Sequence, residues 1–264
     1  MSKESTLDQS QNQDAPSPNG MVIHSKLLQS VRSIRAGVSS RRGGVSPPPF
    51  DLNLSYNVGD DPINVTRNRE RFFGSLGISS DDLAVPYQVH SATVRGATKP
   101  GRYETCDALV TNLPGIFLAV TVADCLPILL YDPSVKAVAA VHSGWRGSKD
   151  RILKQALKTL SEEFGSDCKD VIAFIGPAAG GCCYEVGEEV AREFPSEYTS
   201  RIAGRKPRLD LKLFNKMLLL EDGVDERNVE VSPLCTICTV DSLHSYRRDG
   251  DRSGRMMGVI GIVK

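Results

Sequence analysis

Residues 116–147, IFLAVTVADCLPILLYDPSVKAVAAVHSGWRG, hold three short apolar runs separated by a few polar residues. The runs 116–122, 126–131 and 136–142 have the length of strands, and Asp, Pro or Gly bounds them. Parallel neighbours need a crossover of a dozen or more residues, and these connections are much shorter. The stretch therefore predicts three strands that meander antiparallel.

Strand and helix patterns interleave on both sides of this stretch. Further strands are predicted at 22–23 and 171–175, and helices at 67–76, 148–164, 186–194 and 209–220. Residues 1–20 are polar and almost free of apolar side chains, which predicts a disordered tail. The basic stretch 21–42 has the composition of a transit peptide, but it also fits strands and a turn. We expect one layered α+β domain over residues 21–264.

The charge balance argues against two classes of partner. Lysine plus arginine equals aspartate plus glutamate, at 32 each, so no overall field favours nucleic acid or an acidic membrane surface. No apolar run approaches the roughly 18 residues that span a bilayer, and no signal-peptide pattern opens the chain. These observations predict a soluble cytoplasmic protein.

The seven cysteines are odd in number and irregularly spaced. This pattern indicates a reducing compartment. Cys235 and Cys238 have the spacing of half a zinc finger or of a redox pair, but no second Cys-x-x-Cys accompanies them. We therefore expect two buried thiols there. Adjacent side chains point in different directions, so Cys182 and Cys183 are also expected to serve packing.

Three potential metal ligands lie at the edges of apolar runs. His90 and His142 are two of only four histidines, and each ends a predicted strand. Cys125 lies between two predicted strands. Two imidazoles and one thiolate suit zinc with its fourth position left open. Asp124 and Ser143 are available to hydrogen-bond these ligands.

Two histidines and a cysteine also describe a blue-copper site. A multicopper oxidase couples that site to a cluster that needs several further histidines, and only His24 and His244 remain in this chain. Zinc, acting as a Lewis acid or activating water, is the better choice.

Arginines next to glycines predict a local anion site. Arg41, Arg146 and Arg247 each lie in a Gly-rich turn, where the backbone can approach an anion closely. A guanidinium forms bidentate pairs with phosphate or carboxylate. We expect Arg146, with Arg41 or Arg247, to hold phosphate.

The sequence resembles a known family over residues 33–264: the YfiH-type laccase-domain proteins. These were long labelled polyphenol oxidases and are now regarded as purine nucleoside phosphorylases with accompanying adenosine deaminase activity. The matching motifs run in order along the chain: Ser40–Ser46, Asn53–Ser55, Val58–Asp60, Asn68–Arg69, Gln88–His90, Cys106–Ala108, Ala123–Cys125, His142–Gly147, Gly176–Pro177 through Cys183–Val186, Leu209–Leu211, Cys238–Thr239 and Ser245–Gly250.

The resemblance implies one zinc per chain, with ligands at His90, Cys125 and His142. It also implies a single domain with α-β-β-α layers and no flavin or nicotinamide. Purine nucleosides and phosphate become the expected substrates, and we assign Arg41, Asn53 and Arg247 to substrate binding. We expect mixed and antiparallel sheets, as in the YfiH and CNF folds, and a monomer or homodimer.

Three other functions compete with this one. The resemblance implies that some bacterial members are zinc hydrolases that edit peptidoglycan precursors. A copper-dependent phenol oxidase is the least favoured alternative. A non-enzymatic interaction protein with a structural metal is disfavoured by the open fourth position and the nearby arginines.

Overall fold

The computed structural model describes residues 20–264; the predicted tail at 1–20 lies outside them except for Gly20. The strands are β1 (Val22–Ile23), β2 (Ile34–Ser39), β3 (Leu83–Pro86), β4 (Val94–Gly96), β5 (Gly101–Tyr103), β6 (Ala108–Thr111), β7 (Phe117–Val122), β8 (Leu126–Asp132), β9 (Ala137–Ser143), β10 (Ile172–Ile175), β11 (Thr199–Ser200), β12 (Arg208–Leu209), β13 (Val229–Val231) and β14 (Met256–Ile262). The α-helices are α1 (Lys26–Gln29), α2 (Pro62–Ser75), α3 (Trp145–Lys149), α4 (Ile152–Phe164), α5 (Glu188–Ala191), α6 (Leu211–Glu221) and α7 (Tyr246–Asp249).

Two six-stranded sheets form the centre of the domain. Sheet 1 has the order β1-β2-β14-β7-β3-β5, and sheet 2 has the order β13-β10-β8-β9-β6-β4. Most neighbours are antiparallel, but in sheet 1 β3 runs parallel to both β5 and β7, and in sheet 2 β10 runs parallel to β13 and β4 to β6. The prediction of mixed and antiparallel sheets in one α+β domain is confirmed.

Alternating side chains on the strands build three apolar layers. On β8, Leu126, Ile128 and Leu130 pack under α4 and α6, whereas Leu129 packs between the two sheets. Sheet 1 turns its other face to α2, whose Phe72 is fully buried there. Because successive side chains of a strand point to opposite faces, both sheets are apolar on both sides. The layers therefore follow the order α-β-β-α.

The predicted meander is only half correct. β8 and β9 form an antiparallel hairpin, from Leu126 opposite Ser143 to Asp132 opposite Ala137. β7, by contrast, lies in sheet 1 between β14 and β3. The chain changes sheets at Asp124, which has a left-handed backbone with φ 87°. Connection length excludes parallel pairing, but it does not decide whether two successive strands share a sheet.

Two predicted helices differ from the observed ones. The helix predicted over 148–164 is split into α3 and α4 at Arg151, whose φ of 56° no right-handed helix accommodates. The helix predicted over 186–194 shortens to α5, because the residue that precedes Pro195 disfavours helical backbone. Among residues 20–264, no helix combines the length and apolar character that crossing a membrane requires.

His244 is a buried histidine in the core, and neither of its ring nitrogens has a hydrogen-bond partner among the described residues. Burial and then the positive charge of Arg41 lower the pKa of His244 from 6.5 to about 3. The folded protein thus holds the ring neutral where the unfolded chain would protonate it. The unfolded state binds more protons within this window, so stability decreases as the pH falls through it.

We predict that His244→Leu makes the free energy of unfolding less dependent on pH between about 3 and 6.5. The wild-type contribution of this one group reaches at most about 1.4 kcal/mol per pH unit. Urea unfolding of both proteins at a series of pH values measures it. Equal slopes for wild type and variant would show that His244 is not the titrating group.

Candidate metal centre and cavity

His90, Cys125 and His142, called here the His-Cys-His triad, lie together at one end of the sheets. Their nearest ligand atoms all lie within 4.8 Å of one another. The two imidazole rings meet edge to face, with centroids 4.9 Å apart. In the β8–β9 hairpin His142 lies opposite Pro127, and Cys125, two residues before Pro127, lies diagonally across from His142 on the same face. A thiolate and two imidazoles at these distances can bind a metal ion.

His90 reaches the triad from a loop. It was expected at the end of a strand, but β3 ends at Pro86, and His90 itself has a left-handed backbone with φ 61°. Gln88 fixes the loop to β7 through two hydrogen bonds, one from its amide nitrogen to the Thr121 carbonyl (2.8 Å) and one from the Thr121 N–H to its oxygen (2.7 Å). The loop is thereby held next to the point where the chain changes sheets.

Asp107, a fully buried carboxylate, ties the two histidines together. Its Oδ1 lies 2.8 Å from His142 Nδ1 and accepts the backbone N–H of His90 at 2.9 Å. Its Oδ2 accepts the backbone N–H and the hydroxyl of Ser91. Engaging Nδ1 leaves Nε2 of His142 to face Cys125 or a metal. A carboxylate behind a histidine ligand is the arrangement that fixes ring orientation in metal sites.

The charges of the triad reinforce one another. Burial raises the pKa of Cys125, but the neighbouring His142 and His90 outweigh burial and lower that pKa to about 6. Burial likewise lowers the pKa of His142, yet the thiolate of Cys125 and the carboxylate of Asp107 raise it to about 9. Without a metal, a Cys125 thiolate and a protonated His142 therefore stabilise each other, and a metal ion that binds both would displace the proton of His142.

Gly144 allows the triad to close. A Cβ at this position would lie 3.0 Å from the Cys125 sulfur and 3.3 Å from Cδ2 of His90. The glycine two residues after His142 therefore leaves room for two of the ligands at once, and any side chain there would push them apart.

Asp124 and Ser143, which were expected to support the ligands, have other partners. Asp124 accepts the hydroxyl of Thr236 (2.6 Å) and the backbone N–H of Arg247 (2.6 Å). The Ser143 hydroxyl lies 2.9 Å from that of Ser148. Sequence reasoning missed the supporting role of Asp107, although it begins an apolar run, where a buried carboxylate needs donors.

The triad opens into a cavity of about 1370 Å³. Arg146 and Arg247, two of the arginines predicted to bind an anion, both line it, and so do Arg69, Arg102 and Arg255. Aromatic side chains form much of the remaining wall: Tyr56, Phe73, Tyr87, Trp145, Tyr184 and Tyr246. Arg255, which the sequence reasoning overlooked, also lies close to a glycine, the same signal that selected the other arginines.

Arg41 and Asn53 are not brought into this cavity. Arg41 forms an ion pair with Asp51 (2.5 Å), and its guanidinium also donates to the carbonyl of Pro49. Asn53 is fully buried, donates to Asp60 and accepts the backbone N–H of Arg255. Both residues therefore fix loops around the cavity, and Asn53 acts directly on the segment that carries Arg255.

Comparison with known proteins places this geometry in a family. The family described as "Multi-copper polyphenol oxidoreductase laccase" matches residues 35–263. The protein named purine nucleoside phosphorylase YlmD of Bacillus subtilis is 33% identical over 264 residues, covering 93% of this chain and 95% of the relative. A protein of Deinococcus radiodurans named purine nucleoside phosphorylase is 40% identical over 231 residues, covering 86% of this chain and 88% of the relative.

Solved structures agree with the sequence comparison. YfiH of Bacillus licheniformis superposes with a TM-score of 0.86 at 31% identity, covering 92% of this chain and 97% of that one. YlmD of Geobacillus stearothermophilus gives a TM-score of 0.86 at 30% identity over 92% and 97% of the two chains. The chain therefore belongs to the laccase-like multi-copper polyphenol oxidoreductase family, whose YfiH and YlmD structures share its fold.

Proposed function

We propose that this protein is a zinc-dependent purine nucleoside phosphorylase with accompanying adenosine deaminase activity. One observation carries the proposal: the His-Cys-His triad, five arginines and a set of aromatic rings line the same cavity. The names of relatives at 33% and 40% identity support phosphorolysis. Substrates are purine nucleosides of the adenosine, inosine, guanosine and methylthioadenosine class, together with phosphate.

The donor set favours zinc over the copper in the family's description. A thiolate with two imidazoles leaves one tetrahedral position open, as in catalytic zinc sites. A multicopper oxidase would need further histidines near the triad. His244 lies in the core, where its ring nitrogens have no hydrogen-bond partner among residues 20–264, and His24 lines a separate cavity beside α1. When bound, zinc would supply Lewis acidity at the edge of the cavity.

The arginines are arranged to hold an anion. Arg146 lies over the ring of Trp145, with 4.4 Å between the guanidinium carbon and the centroid, and forms no ion pair among residues 20–264. Arg247 lies 4.9 Å over Tyr184 and donates to the carbonyl of Glu185. Stacking holds each guanidinium in place while leaving N–H groups for phosphate oxygens. An anion in this cavity would thus meet two preoriented charges.

Phosphorolysis requires positioning more than it requires covalent help. Phosphate attacks the anomeric carbon of the nucleoside while the purine departs, through a transition state in which positive charge develops on the sugar. Arg146 and Arg247 would orient the phosphate, and aromatic walls such as Tyr246 and Trp145 would pack against the flat base. Deamination would use the same base-binding surface with water as nucleophile.

We predict that Cys125→Ala, His90→Ala and His142→Ala each lose most of the metal that copurifies at the triad. Two remaining ligands cannot replace the third in a three-residue site. Elemental analysis alongside a circular dichroism spectrum measures metal content and folding in the same preparation. Native spectra with unchanged metal content in all three variants would refute the triad as a binding site.

We predict that Asp107→Asn weakens metal binding by about 10- to 100-fold, because an amide orients the His142 ring less firmly than a carboxylate. Competition with a chromogenic chelator measures the affinity. Ser143→Ala is the matched control: this hydroxyl also neighbours His142 in sequence, but it bonds to Ser148. Equal affinities in the two variants would show that Asp107 does not position the ligand.

We predict that Arg146→Ala lowers phosphorolysis of inosine by about 10²-fold while zinc content stays intact, since it removes a preorganised donor to phosphate. Deamination of adenosine should fall less, because its nucleophile is water. Hypoxanthine release in phosphate buffer and inosine formation from adenosine measure the two activities. Arg252→Ala serves as control, since this exposed arginine does not line the cavity.

Three results would count against the proposal. Unchanged phosphorolysis in Arg146→Ala would remove this arginine from the site. Phenol-dependent oxygen uptake at rates comparable to nucleoside turnover would favour copper oxidase chemistry. Amino-acid release from peptidoglycan precursors without nucleoside turnover would favour a zinc hydrolase.

A further inference from the structure

A second group of metal-binding side chains lies outside the His-Cys-His triad. The sulfur atoms of Cys182, Cys183, Cys235 and Cys238 all lie within 4.8 Å of one another. Packing alone does not explain this cysteine cluster, because Cys182 and Cys238 are exposed and only Cys235 is buried. The predicted burial is therefore confirmed for Cys235 and wrong for Cys238, and packing does not account for the exposed Cys182. The second half of a four-cysteine site, absent as a Cys-x-x-Cys motif, is provided by the adjacent pair Cys182 and Cys183.

The spacing of the sulfurs fits a single ion. A tetrahedral zinc ion with Zn–S bonds of about 2.3 Å holds its sulfurs about 3.8 Å apart. Cys238 Sγ lies 3.6 Å from that of Cys182 and 3.0 Å from that of Cys183. All four cysteines are free, and these separations exceed the roughly 2.05 Å of a disulfide bond. An iron–sulfur cluster spreads its thiolates over several metal atoms and would need a wider set.

The surrounding groups stabilise a thiolate at Cys235. The backbone N–H of Gly180 donates to Cys235 Sγ at 3.3 Å, and the N–H groups of Ile237 and Cys238 also point to this sulfur. Burial raises the pKa of Cys235, but these backbone donors lower it to about 7. Four thiolates on a divalent ion carry excess negative charge. The buried ammonium of Lys212, which donates to the carbonyls of Ser232 and Leu234, lies close enough to offset part of it.

The cysteine cluster is joined to the wall of the cavity. Thr236, between two of the cysteines, donates its hydroxyl to Asp124 and its backbone N–H to the carbonyl of Ala178. Asp124 directly precedes Cys125 of the triad and also holds the backbone of Arg247. Tyr184, under the guanidinium of Arg247, directly follows Cys183. A crosslink between the two cysteine turns would therefore fix one side of the cavity.

We propose that Cys182, Cys183, Cys235 and Cys238 bind one zinc ion as a structural tetrathiolate site, separate from the His-Cys-His triad, that crosslinks the segments carrying Tyr184 and Arg247. Four cysteine ligands leave no open position, which distinguishes a structural zinc from a catalytic one. The assignment needs only the cluster itself and does not depend on the reaction that the cavity performs.

Metal analysis of four variants tests the proposal. Full-length protein, purified under reducing conditions, should hold about two zinc ions per chain. Cys238→Ser and Cys125→Ala should each lose one, and the double variant should lose both. Cys168→Ser, a half-buried cysteine outside both sites, should keep two. A Cys125→Ala protein without zinc, or a double variant that retains as much zinc as Cys125→Ala, would overturn the site.

X-ray absorption of zinc in the Cys125→Ala protein gives a second test that leaves all four cysteines intact and therefore does not depend on Cys238→Ser folding. We expect a coordination sphere of sulfur only, and cobalt substituted into the same variant should show the intense visible bands of a tetrahedral thiolate complex. Nitrogen or oxygen ligands around the ion, or a Cys183–Cys238 disulfide found by mass spectrometry in freshly reduced protein, would refute a tetrathiolate site.

Discussion

The buried carboxylate of Asp124 holds together the point where the chain leaves sheet 1 and enters sheet 2. A left-handed backbone with φ 87° lets the chain turn there, and the carboxylate binds Thr236 through one oxygen and the backbone of Arg247 through the other. Its own carbonyl accepts the N–H of Ala179. Three distant segments are thus joined at one residue. Since Cys125 is the next residue, the position of a metal ligand depends on this junction.

Asp107 plays the corresponding role on the other side of the triad. It receives the ring of His142 and the backbone of the His90 loop, so this buried carboxylate orients both ligands. A buried carboxylate is costly unless donors surround it, and here nearly every lone pair has one. The two aspartates therefore have complementary roles, since Asp124 places the thiolate and Asp107 places the imidazoles.

Local patterns predicted much of this architecture and failed where distant segments meet. The apolar runs and the short connection over 132–137 were enough to predict the β8–β9 hairpin. The alternation of side chains along a strand shows which faces are buried but not which element covers them. The sequence therefore did not predict that β7 lies in sheet 1. The triad was found because its donors are chemically unusual. Cys183 and Cys238, 55 residues apart, meet only through tertiary structure. Neighbouring glycines alone could not distinguish the arginines that line the cavity from Arg41, which does not line it.

The position of β14 affects how the protein can be assembled. This strand lies between β2 and β7, and Arg255 of the cavity directly precedes it. During synthesis from the amino end, β2 has no partner on that side until β14 emerges from the ribosome, so an open strand edge remains exposed for much of translation. Contacts so distant in sequence also close slowly. The cavity is therefore completed late in synthesis. A nascent chain that still lacks β14 exposes an unpaired strand edge to which chaperones can bind.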